Sequence, residues 1–228
     1  MSVESSDLAK KLLEWWGKNK RVFPWRETRD PYCVIVGEIL LHRTKANQVV
    51  PVYNKFVEKL PTIIALVNAS FAEVRETVYS LGLLWRTEAL YEMAKDIVTK
   101  FEGEIPVERE KLESLPGISH YIASAVRCFA FGYPEVLLDT NTVRILGRVF
   151  GIKVSDCSRR NRNFQKLYES ILDKENARDF NYAMLDLGAL VCIPGEPLCN
   201  KCPLIRMCVY GSSRLGKIGC GKYLSQNL

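Results

Sequence analysis

Two carboxylates, four thiols and one tight turn are placed in this chain where they could do chemistry. Glu38 falls inside Val34-Ile-Val-Gly-Glu-Ile-Leu-Leu41, a run apolar enough to be buried. A carboxylate there is costly unless it is paired or kept for proton chemistry. Asp139 ends a second apolar run, Val136-Leu137-Leu138, and precedes Thr140-Asn141-Thr142. Asp before such a stretch is also a good helix N-cap, so cap and reactive acid are both open readings. Cys192, Cys199, Cys202 and Cys208 form C-x6-C-x2-C-x5-C, four thiols within 17 residues that can wrap one metal centre. A zinc ribbon usually shows two C-x2-C knuckles and only one is present, which leaves zinc and iron–sulfur both open. Leu115-Pro-Gly-Ile-Ser-His-Tyr121 reads as a Pro-Gly turn opening a helix. Such a turn aims backbone N–H groups and a helix dipole at one point, a ready phosphate site.

These residues need helices to position them. Leu8, Leu12, Leu13, Trp15 and Trp16 recur at helical spacing, predicting a helix over Asp7–Trp16 that stops near Gly17. Arg21-Val-Phe-Pro-Trp-Arg26 is broken by Pro24 and reads as a crossing loop with two rings to bury. Asp30-Pro31 starts a buried helix that carries Glu38 and runs to about Thr44, with His42 one turn beyond Glu38 and Arg43 and Lys45 at its end. Further helices are expected near Val49–Glu58, Phe71–Tyr79, Ala89–Phe101 and Ile105–Ser114, then after Ser119 and after Asp139. A basic loop and helix follow over Lys153–Lys166, and a last apolar helix, Phe180–Val191, runs into the cysteines. No period-two pattern extends beyond a few residues, so the expected class is all-α.

Composition sets bounds without choosing a function. With 228 residues, 47% of them hydrophobic, the chain can bury one large core or two modest ones. A net charge of +6 favours polyanions only where basic residues cluster, as Lys153, Arg159, Arg160, Arg162 and Lys166 do. No secretory signal or membrane span is legible. Clustered cysteines in place of a spread framework favour a reducing compartment. The Gly- and Ser-bearing tail with Cys220 reads as weakly ordered.

Phe23-Pro-Trp-Arg26, Glu38-Ile-Leu-Leu-His-Arg-Thr44, Leu81-Gly-Leu83, the 115–121 turn, Asp139 and the cysteine spacing together resemble the endonuclease III and MutY superfamily of DNA glycosylases, from about residue 10 to 208. Within it the chain is most similar to the Mig-type thymine-DNA (G/T) mismatch glycosylases. The resemblance implies a two-lobed helix-hairpin-helix glycosylase fold. Residues 23–135 would form the six-helix domain with the hairpin, and 1–22 with 136–228 an iron–sulfur cluster domain, Asp139 lying at the cleft. It also implies that the four cysteines hold a [4Fe–4S] cluster. The partner would be double-stranded DNA containing a mismatch, bound by a monomer with no membrane association. The expected location is the cytoplasm, on the nucleoid in a prokaryote.

The resemblance assigns Asp139, Glu38 and Tyr121 to catalysis: Asp139 to the developing sugar cation, Glu38 to the base, with its apolar helix expected to raise its pKa, and Tyr121 to the pocket. Leu83 would wedge the duplex and Arg43, beside His42, would meet the widowed guanine. Leu115, Gly117, Ser119 and His120 would form the hairpin's DNA contacts. Lyase members carry Lys where this chain has Tyr121, so base removal without strand cleavage is expected. Adenine glycosylases that face 8-oxoguanine usually carry a further C-terminal domain, where this sequence continues only from 208 to 228. An adenine glycosylase acting on A opposite G or 8-oxoguanine, and an inactive iron–sulfur DNA-binding protein, are the alternatives. Ser119 stands where the family's hairpin usually has a second Gly, which would be strained if that position needs positive φ.

Overall fold

In the computed structural model, which describes residues 3–82 and 84–214, every regular element is helical. The helices are α1 Val3–Asn19, α2 Pro31–Leu41, α3 Ala46–Lys59, α4 Ile63–Asn68, α5 Phe71–Val78, α6 Trp85–Phe101, α7 Arg109–Glu113, α8 His120–Phe129, α9 Thr140–Phe150, α10 Arg162–Ile171, α11 Ala177–Leu190 and α12 Val209–Arg214. The chain divides into two compact units, Val22–Glu135 and a second made of the residues up to Arg21 with those from Val136 onward.

The Val22–Glu135 unit is built on α2. Asp30 caps it, its Oδ1 accepting from the N–H of Tyr32 at 2.8 Å, and Pro31 occupies the first turn. Val34, Ile35, Val36, Ile39 and Leu40 are buried against α3, α6 and α8. Phe23 and Trp25 are buried as well and stack at 5.0 Å around a single 3-10 turn, as the crossing loop required. A Cβ on Gly37 would lie 2.8 Å from that of Trp25, so glycine lets the turn lie directly on α2.

Several boundaries differ from expectation. The helix bearing Glu38 stops at Leu41 instead of near Thr44, because Arg43 turns left-handed at φ 58°. Lys45 then caps the start of α3 instead of ending α2. Pro106 does not begin a helix: the carbonyl of Val107 accepts from Arg127, which holds the segment extended until Glu108. The short α4 has no period long enough to read; it forms because Thr62 Oγ1 accepts from the N–H of Ala65 at 3.1 Å.

In the other unit α1 packs on α11, and α9 lies between α11 and α12. Helix α1 runs through Gly17 to Asn19. Its C-terminal end is tied by fully buried Asp186, which accepts from Trp16 Nε1 at 2.9 Å, from Arg21 N–H at 3.0 Å and from Arg21 Nε at 2.6 Å.

Candidate functional site

Asp139 is the N-cap of α9 and is held from several sides. Its Oδ1 accepts from the backbone N–H of Asn141 at 2.9 Å and of Thr142 at 2.7 Å, and its Oδ2 accepts from Asn141 Nδ2 at 2.7 Å. Thr142 Oγ1 returns a bond from the Asp139 N–H at 2.8 Å, which completes a capping box. Charge-assisted bonds of this kind fix the carboxylate's plane. The hold then continues outward. Asn141 Oδ1 accepts from Arg144 Nη2 at 2.9 Å, while Arg144 also donates to the carbonyls of Gly188 and Cys192, both at 2.9 Å. A Cβ on Gly188 would come within 2.7 Å of that of Asn141, so a glycine in α11 is what lets α9 approach. Asp139 is therefore wired, through Asn141 and Arg144, to the start of the cysteine loop.

That loop wraps one small cavity of about 20 Å³, which all four thiols line together with Ile145, Val149, Leu187 and Leu204. Burial pushes the Cys202 thiol up to about 12 and raises that of Cys208, so thiolates here need nearby positive charge. Arg148 supplies one such charge, its Nη1 standing 3.5 Å from Cys192 Sγ and 2.7 Å from the Ile193 carbonyl. The Gly211 N–H donates to Cys208 Sγ at 3.3 Å. Among the described residues no three such donors converge where a single ion would sit. Lys201 and Arg206 are exposed on the loop's two 3-10 turns, and Lys153, Arg159, Arg160, Arg162 and Lys166 are exposed around the start of α10.

In the Val22–Glu135 unit, α7 and α8 flank the 115–119 turn. Leu115 and Ile118 are buried and anchor it. Gly117 has φ 79°, and a Cβ there would lie 2.5 Å from that of Ala89 in α6, so both conformation and packing demand glycine. Ser119 does not need that freedom: its φ is −81°, and its Oγ accepts from the N–H of Ile122 at 3.3 Å as the N-cap of α8. Serine is therefore a sound substitute for glycine there. His120 is exposed, with Nδ1 2.8 Å from Glu113 Oε1. Tyr121 is half-buried in the first turn of α8, and Glu38 is half-buried on α2, the helix packed against α8.

His42 and Arg43 are exposed just beyond α2. Burial, then the charges of Arg43 and Arg86, lower the His42 pKa below its ordinary value. Leu83 lies outside the described residues, as does Cys220. Among the described residues no helix is long and apolar enough to cross a membrane.

The structure thus gathers the cysteines with Asp139's support, and the hairpin with the two neighbouring helices that carry Glu38 and Tyr121. Three supporting residues went unassigned from the sequence: Asn141, Arg144 and Arg86. Asn141 carried a signal, since an amide two residues after an N-cap can reach back to it. Arg144 and Arg86 act over 44 residues, beyond any local pattern.

Comparison with known proteins agrees with this arrangement. Residues 36–170 match the family model described as HhH-GPD superfamily base excision DNA repair protein. The chain is 41% identical to a thymine-DNA glycosylase of Aeropyrum pernix over 210 residues, 89% of this chain and 93% of that one. It is 34% identical to a thymine/uracil-DNA glycosylase of Methanothermobacter thermautotrophicus, covering 87% and 90% of the two. Among solved structures, a thermostable thymine-DNA glycosylase aligns with a TM-score of 0.84 at 32% identity, over 92% of this chain and 97% of the other.

Proposed function

The chain belongs to the HhH-GPD superfamily of base excision DNA repair proteins, and from that premise we propose that it is a monofunctional DNA glycosylase hydrolysing the N-glycosidic bond of a flipped thymine, or uracil, opposite guanine. Likeness to thymine-DNA glycosylases along nearly the whole chain supports the substrate. The observation that carries the chemistry is the fixed carboxylate of Asp139.

Breaking the bond leaves positive charge on the sugar and negative charge on the departing base. Asp139 faces the first. Three donors set its orientation before the reaction, so no reorganisation is needed when the charge develops, and its remaining lone pair, on Oδ2, serves the sugar or an attacking water. Asn141 and Arg144 keep it there. Glu38 acts at the base, where a thymine that leaves as a stabilised anion needs an acceptor for its ring N–H or an oriented water. Tyr121 shapes the pocket. Its phenol has no amine with which to form a Schiff base, so the strand is left intact. Extrusion of the nucleotide costs about a few kcal/mol, a cost that its being mispaired lowers. Leu83 wedges the stack and Arg43, whose planar fork suits two acceptors, meets the widowed guanine. The 115–121 turn, with Leu115, Gly117, Ser119 and His120, grips the backbone.

Cys192, Cys199, Cys202 and Cys208 hold a [4Fe–4S] cluster in this reading, supported by the one cavity that all four line. When bound, the cluster supplies the positive charge that buried thiolates require and so fixes the loop that carries Lys201 and Arg206 near phosphate. The 23–135 segment then serves as the six-helix domain and 1–22 with 136–228 as the cluster domain. The enzyme works as a monomer in the cytoplasm, on mismatched duplex DNA.

One assay tests this. Labelled G/T, G/U, G/A and 8-oxoguanine/A duplexes are incubated with the protein and then resolved with and without alkali. Cutting of G/T and G/U only after alkali is expected. Cutting without alkali would make the protein a lyase, cutting at A would make it an adenine glycosylase, and no cutting would leave a DNA-binding protein. Iron and acid-labile sulfide in equal amounts are expected from the purified protein; zinc in their place would overturn the cluster.

A further inference from the structure

Arg86, at the second position of α6, is completely buried and yet has no carboxylate partner among the described residues. Its Nη2 donates to the carbonyl of His42 and to Thr44 Oγ1 at 2.5 Å, and its Nη1 donates to the carbonyl of Leu81 at 3.3 Å. Its Nε meets no acceptor at all. Burying a guanidinium unpaired, with one donor unsatisfied, is a poor way to stabilise a core. An apolar side chain of the same length would serve stability better. What the cation does achieve is geometric. One planar fork joins two turns that are far apart in sequence, 42–44 and 81–82, and both carry left-handed backbone, Arg43 at φ 58° and Gly82 at φ 68°. The His42 ring adds a second tie, meeting the Trp85 ring edge-on at 5.1 Å.

We propose that Arg86 is a positioning residue for base extrusion: it clamps the 42–44 turn, which presents Arg43, to the 81–82 turn, so that the two reach the duplex in one fixed register. This rests on the glycosylase reading above. Arg43 in a left-handed bend is strained, and two carbonyls and a hydroxyl converging on one guanidinium are what hold the bend. Without the clamp each turn would find its own lowest state, and the stack would be opened by parts that no longer act together. Lysine cannot replace it fully, since a single ammonium lacks the fork that spans both turns.

The test separates extrusion from bond cleavage. Single-turnover excision is measured for Arg86→Met and Arg86→Lys on uracil opposite guanine, which must be pulled from the stack, and on uracil opposite an abasic-site analogue, which leaves it easily. The Arg86→Met rate on the first substrate should fall at least tenfold, and on the second less than twofold, with Arg86→Lys between Arg86→Met and wild type. Fluorescence of 2-aminopurine placed beside the mismatch should report the same loss of opening. A merely structural role would slow both substrates by one factor, tracking the folded fraction seen by circular dichroism; that result, or no change on either substrate, overturns the proposal. If Arg86→Met does not fold, Arg86→Lys carries the comparison alone. A wild-type protein that releases uracil from neither duplex would instead overturn the glycosylase reading itself.

Discussion

Asp139 and Arg43 are held in opposite ways. Asp139 is gripped by its own helix, through donors two and three residues along the chain, with Arg144 reinforcing the grip from one turn further on. Arg43 is bent by a cation that arrives from another helix 44 residues away in bonding to the His42 carbonyl. A local hold survives chemically conservative change, because the backbone supplies most of it. A remote hold depends on a single side chain or a single missing Cβ, and fails when that is altered.

Substitutions at both kinds of site can break this contrast. The largest effect is expected at Asp139. Asn caps helices as well as Asp but would set its NH2 against that of Asn141, so Asp139→Asn should cost about 1 kcal/mol of thermal stability, the size of one lost hydrogen bond. The lost charge should slow base release by roughly 10²- to 10³-fold, while G/T duplex binding survives. Single-turnover kinetics and a melting curve check both halves, and wild-type turnover would remove Asp139 from the reaction. Gly117→Ala comes next, as a remote hold broken: left-handed backbone and the 2.5 Å approach to Ala89 should together cost about 1–3 kcal/mol by denaturant titration. Ser119 is the local counterpart. Ser119→Ala should cost about 1 kcal/mol and Ser119→Gly only a few tenths; equal losses would show that Ser119 does more than cap α8.

The smallest effect belongs to His42. Its folded pKa lies below the ordinary value, so the unfolded chain binds the proton more readily. Stability from this source is full above the unfolded pKa near 6.5 and is lost as pH falls through the lower folded value. An NMR titration of His42 should give a midpoint below 6.5, and a midpoint above it would mean that the 42–44 turn is not packed on Trp85 and Arg86.

What was legible in the sequence follows the same division. The helical class, the Asp30 and Asp139 caps, the buried aromatic crossing loop and the grouping of four cysteines could all be read, since each rests on neighbours along the chain. The end of α2 could not. Arg43 and Lys45 look like cations closing a helix, and only Arg86, invisible to local pattern, shows why the helix has already ended. Ser119 was misleading for the converse reason: a family glycine suggests special backbone, yet the position is extended and uses its hydroxyl. Arg144 could not be read from its neighbours, because its four acceptors come from α9, α11 and the start of the cysteine loop at once.

The ties of Asp186 to Trp16 and Arg21 also bear on the order in which the chain matures. The Val22–Glu135 unit is one continuous stretch, and all of it precedes α11 along the chain. Helix α1, made before that stretch, must wait some 165 residues for the carboxylate that will secure it. Such long-range closure is slow relative to local helix formation. The inner unit is therefore one uninterrupted length of chain, whereas the outer unit closes only once segments on both sides of that length have been made.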